Sequence, residues 1–300
     1  MKKDGRRRGV QRYRCLACGS YFSSKRRTNL NWVAKAYKDY TVHKQTYAEL
    51  SQKYGKSGKT LRKLFDEHAA VTGEMRAREE PFVLILDATF FGRGYGILLA
   101  RCPSKVIYWS EIETETVQVY MDCLDALNAA EYTFSTFVID GRRGVRQLLE
   151  KRFPGTPIQF CQFHQIWIVK RYIPKKAKTE AAKSLRKIAL TLAQTSEVEF
   201  TQSLNEWHAK YEDFLKEKSF IEGGTKRWRY THGRLRSAYR SLRTNLPYLF
   251  TFQHRPNLQI PNTTNHCDGL FAHIKQKVLI HRGISKQRRK EMIDYLLENF

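Results

Sequence analysis

The chain has 300 residues, 41% of them apolar, enough for a sizeable core in one large domain or two smaller ones. Its net charge of +25 favours a polyanionic partner, most simply nucleic acid. Its apolar runs are too short for a membrane span, the basic N-terminus lacks the apolar segment of a signal peptide, and six irregularly spaced cysteines do not indicate a disulfide framework. We therefore expect a cytoplasmic protein without membrane contact.

The charge is unevenly distributed along the chain. Residues 1–63 carry a net charge of +15, residues 81–140 a net charge of −5 and residues 141–300 a net charge of +18. An acidic segment between basic ones is what a metal-binding catalytic core held on DNA would have. The alternative is a generally basic protein with random local variation.

Residues 1–28 form a basic and aromatic segment that contains Cys15 and Cys18 at the spacing of one zinc knuckle. A tetrahedral structural site needs four ligands, and the sequence has no second Cys-x-x-Cys pair. We interpret the segment as a partial zinc ribbon in which these cysteines are candidate Zn²⁺ ligands. Arg12 and Arg14 suit DNA phosphates with or without the metal.

Residues 29–80 are predicted to form a helix-turn-helix DNA-binding domain and a linker. Residues 46–55 have the pattern of a short helix that ends at a glycine, and Ser57 then caps a second helix. The apolar residues of this second helix share one side: Leu61, Leu64 and Phe65. Its basic residues share the other side: Lys59, Arg62 and Lys63. This arrangement is typical of a DNA-reading helix, and the alternative is a helical hairpin with a solvated basic face.

From residue 81 onward the periodicity is that of strands alternating with helices. The predicted elements are strands 81–91, 95–102 and 105–112, helix 116–130, strand 136–140, helix 144–153 and strand 157–163. The first strand runs into Asp87, and the fourth ends at Asp140. A buried strand rarely carries a charge unless that charge is paired or binds metal. The alternative is two ordinary carboxylates that cap turns.

This order, with an Asp on the first strand and another after the fourth, resembles the ribonuclease H-like fold of polynucleotidyl transferases, an α/β fold built on a mixed sheet. The resemblance implies that the first and fourth strands lie side by side, so that Asp87 and Asp140 meet. It also implies a third acid on a helix beyond the fifth strand. Such carboxylates hold Mg²⁺ or Mn²⁺ for in-line displacement at phosphorus.

The segment Cys161-Gln162-Phe163-His164 follows the last predicted strand. It resembles the C/D-x-x-H signature of Mutator-like element transposases and related bacterial insertion-sequence transposases, which carry a DDE triad on a ribonuclease H-like core. From the residues alone, Cys161 and His164 are either half of a metal site or a buried cysteine beside a histidine at a strand end. We favour a structural or DNA-positioning role for both.

Residues 166–255 are basic, with helices predicted over 178–195, 197–218 and 231–245. The resemblance implies an all-helical insertion between the second and third acids of a catalytic core that comprises residues 81–165 and 256–300. From the residues alone, a separate helical domain is the alternative.

The third acid is sought in Pro261–Gly269, which resembles the T-T-N-x-x-E motif of these transposases with Asp268 in place of Glu. Apolar residues at a 3.6 period predict a helix here: Cys267, Phe271, Ile274 and Val278. The resemblance makes Asp268 the third Mg²⁺ ligand, whereas a helix-capping role is the alternative. Lys275, two turns on, shares the side of Asp268 and is expected to meet a DNA phosphate.

The whole resemblance implies a DDE-type transposase. Such an enzyme would cleave strands at element ends with metal and transfer them into target DNA, acting as a homo-oligomer on terminal repeats and target, in the cytoplasm and associated with the nucleoid through DNA. Two alternatives remain open. One is a ribonuclease H-like nuclease or resolvase without strand transfer. The other is a non-catalytic DNA-binding protein derived from a transposase.

Overall fold

The computed structural model of the chain describes residues 1–7, 10–23, 31–68, 80–220, 228–281 and 283–299. The chain divides into an N-terminal unit, Met1–Val71 with Ile280–Tyr295, and a sheet unit, Thr72–Leu279 with Leu296–Phe300. The predicted linker, residues 69–80, lies outside the described residues except for residue 80. Within the described ranges, every helix is too short or too polar to cross a bilayer.

The N-terminal unit starts with a three-stranded antiparallel sheet in the order β1-β2-β3. Its strands are β1 (Lys2–Arg7), β2 (Val10–Arg14) and β3 (Tyr21–Ser23). Tyr13 on β2 and Phe22 on β3 stack with ring centroids 5.6 Å apart. Such cross-strand aromatic pairs stabilise a short sheet that buries little surface.

Three helices follow, namely α1 (Asn31–Thr41), α2 (Tyr47–Tyr54) and α3 (Gly58–His68). Thr46 and Glu49 form a reciprocal capping box at the start of α2. Gly55 ends α2 in the left-handed conformation, with φ of 62°. Ser57 accepts a hydrogen bond from the Thr60 amide at 3.2 Å and so caps α3. The helix, glycine turn and second helix lie where the sequence predicts them.

The last helix, α12 (Lys286–Glu298), belongs to the N-terminal unit up to Tyr295. The Arg288 guanidinium donates to both oxygens of Asp66 on α3, at 2.8 and 2.9 Å. Tyr295 packs edge-on against Tyr37 of α1. The prediction that residues 256–300 all belong to the catalytic core is therefore corrected. The aromatic and basic side chains of α12 complement α1 and α3, which its amphipathic pattern alone could not indicate.

The sheet unit contains a mixed five-stranded sheet in the order β6-β5-β4-β7-β8. Its strands are β4 (Phe82–Phe90), β5 (Gly96–Arg101), β6 (Val106–Ile112), β7 (Phe134–Ile139) and β8 (Ile158–Phe160). The strands β4, β5 and β6 pair antiparallel, whereas β7 runs parallel to β4 and β8 runs parallel to β7. The predicted adjacency of the first and fourth strands of this segment is confirmed.

Helices connect and cover these strands: α4 (Val117–Ala129), α5 (Arg143–Arg152) and α6 (Gln162–Tyr172). The last strand is shorter than predicted, because Gln162 and Phe163 form the first turn of α6. The Gln162 side chain is buried and donates to the Leu249 carbonyl at 2.9 Å. A short apolar run does not distinguish a buried strand from the start of a buried helix, which explains the error.

The remaining helices of the sheet unit are α7 (Glu180–Thr191), α8 (Glu197–Lys216), α9 (Gly233–Leu249), α10 (Thr251–His254) and α11 (Asn265–Ile280). Helices α7 to α9 share one apolar core with the five-stranded sheet. The prediction of an all-helical insertion is wrong, because β9 (Lys218–Phe220) and β10 (Trp228–Tyr230) pair antiparallel. Phe220 pairs with Trp228 across them, and such aromatic pairs favour strands over helix.

Candidate active site

The candidate site begins where β4 and β7 run side by side. Ile85 pairs with Val138 in this parallel ladder, so the same register brings Asp87 level with Asp140 two residues on. The Asp87 side chain is buried, and its Oδ1 accepts a hydrogen bond from the Ala88 amide at 2.8 Å. Its Oδ2 is also buried and has no hydrogen-bond partner among the described residues. Burial raises the pKa of Asp87 to about 7, which shows how costly the charge is.

Asp268 reaches the same place from the first turn of α11. Its amide donates to the Thr264 carbonyl at 3.1 Å, so Thr264 rather than Asn265 precedes the helix. With Thr264 as the N-cap, Cys267 occupies N3, and Asp268 lies one residue beyond the N3 position that a capping box requires. Its Oδ2 is buried and, within the described ranges, has no hydrogen-bond partner. The capping alternative leaves this oxygen unexplained.

His164 completes a cluster with these two carboxylates. One ligand atom each of Asp87, His164 and Asp268 lie within 4.8 Å of one another, and no other three His, Cys, Asp or Glu side chains of the described chain meet this condition. Two buried carboxylate oxygens without partners among the described residues are ligands that suit Mg²⁺ or Mn²⁺, and the imidazole nitrogen beside them is a ligand typical of later transition metals. The residues present therefore fit a metal ion.

Cys161 and Thr264 contact the His164 side chain. The Thr264 amide donates to the Cys161 sulfur at 3.2 Å, and the Thr264 hydroxyl lies 3.3 Å from His164 Nδ1. The hydrogen bond with Cys161 raises the pKa of His164 to about 9 against the effect of burial, and the carboxylates of Asp87 and Asp268 add to this rise. The positioning role expected for Cys161 agrees with these contacts. The position of His164 beside two carboxylates instead makes it a candidate ligand. This agrees with the metal-site alternative that the sequence left open and not with the positioning role that we favoured for His164.

Asp140 lies next to this cluster rather than in it. Its Oδ1 accepts a hydrogen bond from the Arg142 amide at 3.1 Å, and its Oδ2 lies 3.8 Å from Arg142 Nε. Its charge nevertheless contributes to the raised pKa of Asp87. Of the three predicted acids, the structure thus brings Asp87 and Asp268 into one cluster and keeps Asp140 beside them.

Glu115 is a fourth carboxylate at this site that sequence reasoning missed. Its Oε2 pairs with Arg142 at 2.5 Å, and its Oε1 accepts a hydrogen bond from the Tyr120 hydroxyl at 2.6 Å. Burial raises the pKa of Glu115, and the charge of Asp140 adds to that rise. Glu115 stands in an acidic stretch before α4 that has the pattern of a solvated loop. The side chain of Arg142, 27 residues away in sequence, connects it to the site.

An open cleft of about 670 Å³ adjoins these residues. Its lining includes Asp140, Arg142 and His164 together with Trp167, Lys170 and Arg171 of α6. Gly141 also lines it with φ of +89°, and a side chain there would press against the Phe160 ring at 3.2 Å. The lining of the cleft therefore combines one carboxylate, that of Asp140, with cationic side chains and an aromatic ring.

The residues predicted to contact DNA lie on the surface of both units. In the N-terminal unit, α3 exposes its basic residues and buries Leu61 and Phe65, as the sequence predicts. These basic residues are Lys59, Arg62 and Lys63. On β2, the guanidinium groups of Arg12 and Arg14 lie 4.1 and 5.6 Å from the Tyr21 ring. In the sheet unit, Lys275 is exposed on α11. Their contacts with DNA remain predictions.

Cys15 and Cys18 lie in the turn between β2 and β3 as free thiols. The Gly19 amide donates to the Cys15 carbonyl at 3.0 Å, which closes the turn. Over the described residues, no His, Cys, Asp or Glu side chain joins these two in a group of metal-ligand dimensions. Zinc binding here remains a prediction.

No protein-family model and no curated protein matches this sequence. Among solved structures, the Drosophila P element transposase strand transfer complex is similar to this chain, with a TM-score of 0.39 and 11% sequence identity. The similarity covers 88% of this chain and 91% of that one. Because a likeness at this level carries no argument about activity, function must be inferred from the residues of this chain.

Proposed function

We propose that this protein is a DDE-type DNA transposase, which cleaves strands at the ends of a DNA element and joins them to target DNA. One observation carries the proposal: Asp87 and Asp268 are two adjacent carboxylates, each with a buried oxygen that lacks a partner among the described residues. Burying unpaired charge is costly, so such a pair is kept for chemistry more readily than for stability. The strand order, which resembles a ribonuclease H-like core, also supports the proposal.

Asp87 and Asp268 would hold Mg²⁺ or Mn²⁺, with His164 and Asp140 at the same site. Bound divalent cations would supply polarisation of the scissile phosphate and activation of the attacking oxygen. Without a cation, protonated His164 balances part of the charge of the two carboxylates, consistent with its raised pKa. Arg142 ties Asp140 to Glu115 and so holds the second strand-end carboxylate in place.

The charge distribution supports DNA as the substrate. The acidic segment 81–140 carries the cluster, and the segments on either side bring the net charge of the chain to +25. Lys170 and Arg171 line the cleft beside the carboxylates, where they would neutralise the phosphates that flank the reacting one. We further propose that the protein acts as a homo-oligomer on terminal repeats, because joining two element ends needs two active sites.

Metal-dependent cleavage of the DNA that flanks the gene tests the proposal. The purified full-length protein is incubated with a plasmid that carries this DNA, with Mg²⁺ or Mn²⁺ or with chelator. We expect nicks at defined positions that need the cation. Asp87→Asn and Asp140→Asn should each abolish them and leave DNA binding intact, because only ligand charge is removed. Binding without cleavage by the wild-type chain would favour the non-catalytic alternative.

A further inference from the structure

Helix α6 exposes two large aromatic side chains next to the carboxylate cluster. Trp167 is 56% exposed and Phe163 is 39% exposed, and their ring centroids lie 6.1 Å apart at 70°. His164, on the same helix one turn before Trp167, points into the cluster. An aromatic ring of this size is normally largely buried, so its exposure on the wall of a cleft indicates a partner.

A lysine lies near the Trp167 ring, and an arginine lines the same cleft. Lys170 Nζ lies 5.6 Å from the centre of the Trp167 ring, and Arg171 lines the same cleft. The carboxylates of Glu115 and Asp140 pair with Arg142. Over the part of the chain that the structure describes, no ion pair involves Lys170 or Arg171. An aromatic face beside two such cations suits a flat ring attached to a phosphate and does not suit an apolar protein surface.

We propose that Trp167 stacks against an unpaired base of the DNA strand that reacts at the carboxylates, while Lys170 and Arg171 hold its flanking phosphates. This inference rests on the proposed function and specifies the DNA that the site takes. In a duplex, neighbouring base pairs cover both faces of each base, so only an unpaired or extruded nucleotide offers a face to Trp167. Stacking of this kind tolerates any base, because every base has a flat face.

The inference is tested by binding alone, in chelator, with the full-length chain. The probes are two duplexes of the DNA that flanks the gene. One is fully paired, and the other carries a single unpaired 2-aminopurine, whose fluorescence falls when it stacks. We expect the wild-type chain to quench the unpaired 2-aminopurine. We expect Trp167→Ala to bind the unpaired probe roughly 5- to 150-fold more weakly, as base–aromatic stacking elsewhere suggests, and to bind the paired duplex as the wild-type chain does.

Two variants complete the design. Trp167→Phe keeps an aromatic ring and should retain most of the preference for the unpaired probe. Trp228→Ala removes another exposed tryptophan that lies 4.1 Å from a lysine Nζ but outside the cleft, and it should change neither affinity. If Trp167→Ala does not fold, quenching by the wild-type chain and its retention in Trp167→Phe still decide the matter.

Absence of quenching by the wild-type chain would overturn the inference. Equal weakening of both probes by Trp167→Ala would also overturn it, because that result means a general contact or a packing role. The outcome is separate from that of the proposed function. A chain that quenches the probe but never cleaves DNA keeps the base-stacking site and loses the catalytic proposal. A chain that cleaves DNA but does not quench the probe keeps the catalytic proposal and loses the base-stacking site.

Discussion

Replacing Asp87 with asparagine should stabilise the fold, and by an amount that depends on pH. The buried carboxyl has a pKa of about 7 in the folded chain against 3.8 when unperturbed. A carboxyl group whose pKa is raised by folding does not lower the free energy of unfolding below about pH 3.8. As the pH rises above that value toward the pKa of the folded state, the free energy of unfolding falls. At pH 8 the ionised side chain therefore costs the wild-type fold about 4 kcal/mol relative to strongly acidic solution.

Asp87→Asn removes this cost while keeping the size of the side chain and an oxygen for the Ala88 amide. The amide nitrogen of the variant can also donate to a neighbouring carboxylate such as Asp268. The stabilisation of the variant relative to the wild-type chain should therefore be larger at pH 8 than at pH 5 by roughly 2 to 3 kcal/mol, because part of the ionisation cost is already present at pH 5.

Urea unfolding at the two pH values, in chelator, measures this difference. Asp122→Asn is the matched control, because Asp122 is an exposed carboxylate on α4 whose removal should change little at either pH. If Asp87→Asn raises the free energy of unfolding equally at pH 5 and pH 8, or lowers it at both, the reasoning that the buried Asp87 charge destabilises the fold is refuted. Adding Mg²⁺ or Mn²⁺ should then stabilise the wild-type chain and not the variant.

Three further predictions concern other residues. Asp268→Asn should abolish metal-dependent cleavage without lowering thermal stability, whereas normal cleavage in this variant would remove Asp268 from the site. Arg62→Ala on the full-length chain should lower the slope of log binding constant against log salt by about 1, because one phosphate contact is lost, and an unchanged slope would argue against a DNA contact by α3. Burial by itself raises the pKa of Asp39, but hydrogen bonds from Lys53 and Tyr54 outweigh it and lower that pKa. Asp39→Asn should therefore be less stable than the wild-type chain at pH 7, a difference that unfolding curves should show shrinking as pH falls below about 4; a constant difference would contradict this.

Much of the fold follows from local patterns in the sequence. The capped helices around Gly55 and the strands that carry Asp87 and Asp140 are each specified by short-range signals, namely cap residues and apolar runs. The parallel pairing of β4 with β7 is expected because the order of elements resembles that of the ribonuclease H-like fold. Such signals locate an element even where its ends differ by two or three residues, as at the end of β8.

The parts that could not be predicted depend on contacts between distant residues. Glu115 joins the site through its ion pair with Arg142, and the approach of His164 to Asp87 depends on where α6 begins after β8. The position of α12 is set by the pair of Arg288 with Asp66, which are 222 residues apart in sequence. Periodicity reports which face of an element is apolar, and it does not report which partner covers that face.

The joining of DNA strands tests the central claim most directly. A duplex with a 3′-hydroxyl at the end of the flanking DNA, labelled on that strand, is incubated with the full-length chain, Mg²⁺ or Mn²⁺ and a supercoiled target plasmid. The proposed transposase should link the label covalently to the plasmid, and Asp87→Asn and Asp140→Asn should not. Nicking of DNA without any joined product from the wild-type chain, or joined product from either variant, would contradict the claim.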